Sequence, residues 1–252
     1  MLNYYSKLST EVYDLDKPIG SSFGDIEYYQ ERLRKTSGRI LEPAVGTGRM
    51  LIPLLEAGYE VDGFDVSAEM LEKCRDNCRQ RNLSPNLFKG RMESFSTDQQ
   101  YNVIIIPTGT FLLLHEREQS LKALRNFHYH LEDGGKLIVD LYLQREIDLG
   151  KISTRTWTLE NGDTITLENK KVEVDWVNQY TVSHGRYEKW REGKLIATEL
   201  ERFPMRWYGV EEFMMVLEQT GFKDITVSAD YRYGEYPTKE GQCITFEAIA
   251  EK

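Results

Sequence analysis

Short apolar segments alternate with longer amphipathic ones between residues 38 and 141, and this alternation restricts the possible fold more than any other feature of the chain. Each apolar segment has the length of a buried strand, and each amphipathic segment has the spacing of a helix with one buried face. This order is typical of βαβ units, in which parallel strands form a sheet and helices cover its faces. We therefore predict an α/β fold.

The sequence pattern also locates the individual elements. Strands are predicted at Arg39–Pro43, Glu60–Asp65, Asn86–Lys89, Tyr101–Ile106, Lys136–Leu141, Asp224–Ala229 and Gln242–Ala250. Helices are predicted at Arg49–Ala57, Ser67–Gln80, Glu116–Leu131 and Glu211–Thr220, with Ser67 as an N-cap. These elements are enough for a sheet of seven strands with helices on its faces.

Beyond Leu141 the pattern changes to a one-by-one alternation of polar and apolar residues, which indicates antiparallel sheet. Asn161-Gly162 predicts a hairpin, and His184-Gly185 and Glu192-Gly193 predict further turns. We predict a single domain over residues 1–252, with an antiparallel insertion at residues 152–206 after the fifth strand. The aromatic residues of this region suit a substrate lid, a dimer surface or the small core of that sheet: Trp157, Trp176, Tyr180, Tyr187, Trp190, Phe203, Trp207 and Tyr208.

Composition narrows the class of protein. The chain has 252 residues and a formal net charge of −9, which makes nucleic acids and anionic membranes unfavourable partners. Its three cysteines, Cys74, Cys78 and Cys243, form no disulfide framework and no recognisable metal site, so we expect reduced thiols and no metal. The first residues have no apolar signal segment. We expect a soluble, cytoplasmic monomer or homodimer.

The turn after the first predicted strand is the leading candidate site. It contains Gly46 and Gly48 where a helix begins, and glycines there allow a ligand to approach the backbone closely. The third glycine of the dinucleotide fingerprint and the Gly-Lys-Ser/Thr of a P-loop are both absent. Glu42 precedes the glycines, and its carboxylate would repel a pyrophosphate but accept hydrogen bonds from an ammonium group. The turn therefore predicts a cationic nucleoside without phosphate as its ligand.

The second predicted strand ends at Asp65. An acid at this point in α/β folds receives the hydroxyls of a ribose. Asp62 is the alternative, but it would lie inside the strand and not at its tip. We therefore favour Asp65 for the ribose.

These residues carry a resemblance to a known family. The segments Glu42-Pro-Ala-Val-Gly46-Thr-Gly48 and Gly63-Phe-Asp65-Val-Ser67 resemble motif I and the following acidic strand of class I S-adenosylmethionine-dependent methyltransferases. The resemblance covers about residues 38–141 and resumes at residues 206–222. It implies a Rossmann-like fold with a mostly parallel seven-stranded sheet, and it implies S-adenosylmethionine as cofactor with S-adenosylhomocysteine as product.

The resemblance also assigns residues to parts of this cofactor. The methionine part is expected over the turn, the ribose at the acid that ends the second strand, and the adenine beside the residues that follow. The cofactor-binding residues implied are Glu42, Ala44, Gly46, Gly48, Asp65, Val66, Met70, Met92, Glu93 and Ile106.

Two positions depart from the family pattern. The first glycine of the motif is replaced by Ala44, which we expect to keep a negative φ. Arg91 stands where the family has an adenine-binding acid after the third strand. Either backbone amides or Glu93 must then contact the adenine edge.

Within the family, the chain is most similar to small-molecule enzymes such as the N,N-dimethyltransferases of nucleotide-linked aminosugars. Those enzymes have a Tyr-Asp pair near the N-terminus, here Tyr13-Asp14, and an antiparallel sheet after strand five. Tyr13 is a candidate to hydrogen-bond the acceptor, the alternative being a tyrosine that packs its helix onto the core. His130 is the candidate base, the alternative being a satisfied or solvated histidine.

We predict methyl transfer to a nitrogen or oxygen atom of a small polar metabolite, without a nucleic-acid or membrane partner. The segment around Tyr4–Asp14 and the insertion are expected to determine the acceptor. One alternative is an RNA or protein methyltransferase, which needs a positive or peptide-shaped groove. The other is a non-catalytic protein that binds S-adenosylmethionine or S-adenosylhomocysteine, which would keep the cofactor residues but lack an acceptor pocket.

Overall fold

The computed structural model describes residues 5–252, so Tyr4 of the predicted acceptor segment lies outside the described residues. The helices are α1 (Lys7–Asp16), α2 (Asp25–Leu33), α3 (Leu51–Glu56), α4 (Ala68–Arg79), α5 (Arg117–His130) and α6 (Val210–Gln219). The strands are β1 (Ile40–Pro43), β2 (Val61–Asp65), β3 (Leu87–Lys89), β4 (Tyr101–Ile106), β5 (Leu131–Tyr142), β6 (Ile152–Thr158), β7 (Thr164–Asp175), β8 (Tyr180–Arg191), β9 (Lys194–Arg206), β10 (Phe222–Ala229) and β11 (Cys243–Ala250).

Seven of these strands form one sheet in the order β10-β11-β5-β4-β1-β2-β3. β1 to β5 are parallel, whereas β11 runs antiparallel to both of its neighbours. This sheet confirms the predicted Rossmann-like α/β fold. The predicted ends agree to within two residues except at β5, which begins at Leu131 instead of Lys136 because Leu131 already pairs with Tyr101.

Helices cover both faces of this sheet, as the amphipathic pattern predicts. One face packs against α5 and α6 through side chains such as Phe127 and Phe213, and the other packs against α2, α3 and α4 through side chains such as Leu33, Leu51 and Leu71. The central strands are therefore buried on both faces, which explains their continuous apolar runs. Among residues 5–252, no helix is long and apolar enough to cross a membrane.

The second sheet contains the remaining four strands, β6 to β9, all antiparallel. It occupies residues 152–206, where the insertion was predicted. The predicted turn at His184-Gly185 is wrong, because β8 continues through both residues and pairs them with Lys170 and Asn169 of β7. A Cβ on Gly185 would lie 3.4 Å from the Leu167 side chain, which is close to an ordinary van der Waals distance.

Helix α1 packs on the inner face of the second sheet. Leu8 and Val12 of the helix are buried together with Ile165, Leu167 and Tyr187 of the strands. Part of the apolar surface of the insertion therefore forms a small core with α1.

A buried carboxylate on β5 organises the loop that follows β4. Asp140 is fully buried and accepts hydrogen bonds from the hydroxyls of Tyr29 (3.0 Å), Thr245 (2.7 Å) and Tyr231 (3.0 Å) and from the backbone N–H of Thr108 (2.8 Å). Thr108 has a φ of +55°, a left-handed conformation that is costly for a β-branched residue. We infer that Asp140 stabilises this conformation.

We expect Asp140→Asn to lower the free energy of unfolding by about 1–3 kcal/mol, because the amide NH₂ would face a hydrogen-bond donor. Thr245→Val is the matched control, since it removes one of the four hydrogen bonds and should cost about 1 kcal/mol. Urea unfolding of both variants measures the difference. An Asn variant as stable as the wild type would show that the carboxylate does not hold the loop.

Candidate active site

The turn between β1 and α3 lies at the carboxyl edge of the larger sheet and has a tightly wound backbone. Ala44, Gly46 and Gly48 have φ values of +52°, +59° and +93°. The expectation that Ala44 keeps a negative φ is wrong: the turn requires a left-handed residue there, whichever side chain is present. An L-residue pays about 1–2 kcal/mol for this conformation, which explains why the family has glycine at that position.

The two glycines of the turn differ in what surrounds them. A Cβ on Gly48 would lie 2.9 Å from the Cys74 sulfur and 3.1 Å from the Ile52 side chain, so Gly48 allows close packing of α3 and α4. A Cβ on Gly46 would instead point toward the ring of Tyr13, 3.8 Å away. Gly46 therefore faces α1 across the turn.

Glu42 is a buried carboxylate with an unsatisfied oxygen. The side chain lies beside the turn and is only 3% exposed, and its Oε2 atom has no hydrogen-bond partner within residues 5–252. Burial raises the pKa of Glu42 well above its usual value, and the nearby guanidinium of Arg49 opposes this rise. A buried acceptor without a partner is costly, so this position favours a ligand that brings a donor.

Asp65 connects the turn to the start of α4. Its Oδ2 accepts from the backbone N–H of Gly46 at 3.0 Å, and its Oδ1 accepts from that of Ser67 at 2.8 Å. Burial raises the pKa of Asp65, and these two hydrogen bonds oppose the rise. Ser67 is the N-cap of α4, as predicted, because its side chain accepts from the N–H of Met70 at 3.1 Å.

Asp62, the alternative to Asp65, has structural partners. It forms an ion pair with Arg39 at 3.1 Å and accepts from the Tyr101 hydroxyl at 3.2 Å. Tyr101 is the first residue of β4, so this contact lies away from the carboxyl edge of the sheet. Only Asp65 adjoins the glycine turn.

Arg49 was not identified from the sequence as a site residue. Its side chain is buried, forms an ion pair with Asp25 and donates to the carbonyl oxygen of Ser21 at 2.9 Å. Burial raises the pKa of Tyr13, and the nearby guanidinium of Arg49 opposes this rise. The only available signal was a basic residue directly after Gly48, which is also common at exposed helix starts.

A narrow pocket brings several of these residues together. Its lining includes Tyr13, Glu42, Ala44, Arg49, Thr108 and Thr110. Three predicted residues, Tyr13, Glu42 and Ala44, thus meet at one place. Ile106 is fully buried at the end of β4, directly before the loop that closes the pocket.

The residues predicted for the adenine have varied surroundings. Val66 is exposed after β2, whereas the side chains of Met70 and Met92 are buried. Glu93 is bound by Arg91 at 2.5 Å, so its carboxylate is already paired. Since that pair occupies Glu93, backbone amides are the better candidates for contact with the adenine edge.

His130 is not part of this site. It ends α5 directly before the first residue of β5, at the amino edge of the sheet, whereas the pocket lies at the carboxyl edge. Its Nδ1 lies 2.9 Å from the carbonyl oxygen of Asn126 and its ring stacks 4.4 Å from that of Phe95. His130 is therefore not placed to act as a base at this pocket. The alternative of a satisfied or solvated histidine holds only for Nδ1, because Nε2 is buried and has no hydrogen-bond partner within residues 5–252.

The cysteines are free thiols in the structure. Within residues 5–252, no group of three or more His, Cys, Asp or Glu side chains is placed to hold a metal ion.

Comparisons with known proteins agree with this geometry. Residues 40–135 match the family model described as a methyltransferase domain. A glycine/sarcosine N-methyltransferase of Aphanothece halophytica is 28% identical over 209 residues, which span 82% of this chain and 74% of that protein.

Solved structures show the same fold over nearly the whole chain. The sugar N-methyltransferase KedS8 of Streptoalloteichus sp. has a TM-score of 0.76 at 18% identity and covers 100% of this chain and 98% of its own. The S-adenosylmethionine-bound amino pentose methyltransferase CalS10 of Micromonospora echinaspora has a TM-score of 0.70 at 17% identity, with 99% of both chains covered.

The family match begins at β1 and includes the glycine turn, Glu42 and Asp65. The strand order agrees with it, because the turn lies at the carboxyl edge where such sheets bind their ligands. Residues 40–135 therefore form a methyltransferase domain, and over nearly its whole length the chain has the fold of the S-adenosylmethionine-dependent methyltransferases that it resembles.

Proposed function

We propose that this methyltransferase acts on a nitrogen atom of a small polar molecule, with an oxygen atom as the alternative acceptor. The unpartnered Oε2 of Glu42, buried beside the glycine turn, carries the proposal because it fits the ammonium group of the donor. The glycine/sarcosine relative and the sugar N-methyltransferase are named for nitrogen acceptors, which favours nitrogen here.

The side chains around the turn suit the parts of the donor in order. Glu42 would accept from the ammonium group, and Arg49 lies in the same pocket with a charge that suits the carboxylate. Asp65, tied to the turn, would accept from the ribose hydroxyls. Val66 would flank the adenine.

When bound, the donor supplies a sulfonium methyl group for in-line displacement by the lone pair of the acceptor. The protein then has to orient both molecules and exclude water. Tyr13 lies at the pocket with a pKa raised by burial, so it remains a neutral phenol able to hydrogen-bond an amine. Helix α1 and the second sheet would cover the reacting atoms.

The direct test is transfer of a tritiated methyl group from S-adenosylmethionine into a cell extract separated into small-molecule and macromolecular fractions. We expect label in the small-molecule fraction. Label in RNA or protein would support the first alternative. Donor binding without any transfer would support the non-catalytic alternative.

Asp65→Asn is expected to weaken binding of S-adenosylhomocysteine by about 1–3 kcal/mol, because it removes charge-assisted hydrogen bonds to the ribose. Asp62→Asn is the matched control, since its partners Arg39 and Tyr101 are structural, and it should keep the affinity. Calorimetric titration measures both variants. Equal affinities for the two would refute the assignment of Asp65.

Glu42→Gln should weaken donor binding without weakening the fold. A carboxyl group whose folded pKa is raised binds its proton more tightly when folded, so ionisation of Glu42 destabilises the protein as the pH rises above its usual value. The Gln variant lacks this loss. Between pH 4.5 and 8, the free energy of unfolding should therefore fall less steeply with pH for the variant than for the wild type. Calorimetry should show weaker donor binding by the variant. Unchanged binding would exclude contact between Glu42 and the ammonium group.

A further inference from the structure

A second cavity lies between α1 and the inner face of the antiparallel sheet. It has a volume of about 160 Å³, which is far more than one water molecule needs. Tyr13 lines this cavity and also the narrow pocket at the glycine turn. A molecule bound in the cavity would therefore have one end beside the ring of Tyr13, which also borders the pocket proposed for the methyl donor.

Lys17 is a positively charged residue in the lining of this cavity, and it forms no ion pair within residues 5–252. It directly follows α1, and its Nζ lies 4.8 Å from the ring centroid of Tyr13. No carboxylate lies within 4.0 Å of Nζ anywhere in residues 5–252. Burial lowers the pKa of Lys17, the nearby positive charge of Arg49 lowers it further, and the charges of Asp16 and Asp25 oppose this fall. An anion bound at Nζ would favour the charged form of the lysine.

The other charged groups of the cavity are already satisfied. Arg155 pairs with Asp16 at 2.6 Å, and the same carboxylate accepts from the indole of Trp157 at 2.7 Å. Glu201 accepts from the backbone N–H of Tyr5 at 2.5 Å and has further hydrogen bonds from side chains around it. Lys17 is thus the charged side chain in the described lining of the cavity that has no direct ion pair and no side-chain hydrogen bond, although Asp16 and Asp25 act on it from a longer distance.

We propose that this cavity binds the methyl acceptor and that Lys17 binds an anionic group on it. The acceptor would then be a small amine with a carboxylate or phosphate a few bonds from the reacting nitrogen. This spacing follows from the short distance between Lys17 Nζ and the ring of Tyr13. The anionic group would lie at Nζ on one side of the ring, and the reacting nitrogen of the acceptor would lie on the side that faces the methyl donor. The inference rests on the proposed function and specifies its substrate class.

The test is calorimetric titration of protein saturated with S-adenosylhomocysteine. Sarcosine is compared with N-methylethanolamine, and glucosamine 6-phosphate with glucosamine, so that each anionic amine has a neutral counterpart. The variants are Lys17→Met, which removes the charge at similar size, and Lys17→Arg, which keeps it. Melting temperatures verify that both variants are folded.

We expect the wild type to bind at least one anionic amine 10- to 100-fold more tightly than its neutral counterpart, as one charge-assisted hydrogen bond implies. Lys17→Met should abolish this preference and Lys17→Arg should restore most of it, with the affinity for S-adenosylhomocysteine unchanged. The stronger pair would also show whether the anion is a carboxylate or a phosphate.

The inference is overturned if the wild type shows no preference for the anionic amines, or if the preference survives in Lys17→Met. It is also overturned if Lys17→Met loses affinity for S-adenosylhomocysteine, because Lys17 would then belong to the binding site of the methyl donor. The proposed function fails separately, if the wild type does not bind S-adenosylhomocysteine or transfers no methyl group.

Discussion

The carboxylate of Asp65 accepts two backbone hydrogen bonds that join two segments at the carboxyl edge of the larger sheet, where the methyl donor is proposed to bind. One comes from Gly46 in the turn after β1 and the other from Ser67 at the start of α4. Two segments that are separate in sequence are thereby joined at the tips of neighbouring parallel strands. The left-handed turn and the buried Glu42 lie directly beside this connection, and Tyr13 faces Gly46 there.

Helix α1 is the second connection, because it bridges the two sheets through polar contacts at both of its ends. On the insertion side, Glu199 accepts from the N–H of Leu8 at 2.8 Å and Lys189 pairs with Glu11 at 2.8 Å. On the core side, Asp14 pairs with Lys73 of α4 at 3.0 Å. The insertion is therefore attached to the donor site through α1, and both cavities meet at this helix.

The sequence by itself determined the strands of the larger sheet, and it located the candidate residues for the methyl donor. The ends of strands and the positions of helices can be read locally, because a helix and a strand each repeat their buried apolar residues at a characteristic spacing. For the same reason Asp65 was distinguished from Asp62 by its place at the end of a strand. The glycines at positions 46 and 48 and the acid before them lie within seven residues of one another, so the motif was complete without distant parts of the chain.

Only the tertiary structure decided which side chains share a pocket. Arg49 gains its significance from burial and from partners far away in sequence. Lys17 gains it from the cavity between α1 and the second sheet, and a lysine after a helix carries no local sign of such a place. His130 has the residue type of a base, but the direction of the strands places it at the opposite edge of the sheet. Ala44 shows the same limit for the backbone: its φ of +52° is one that alanine disfavours, so the surrounding fold and not the local preference of the residue sets it.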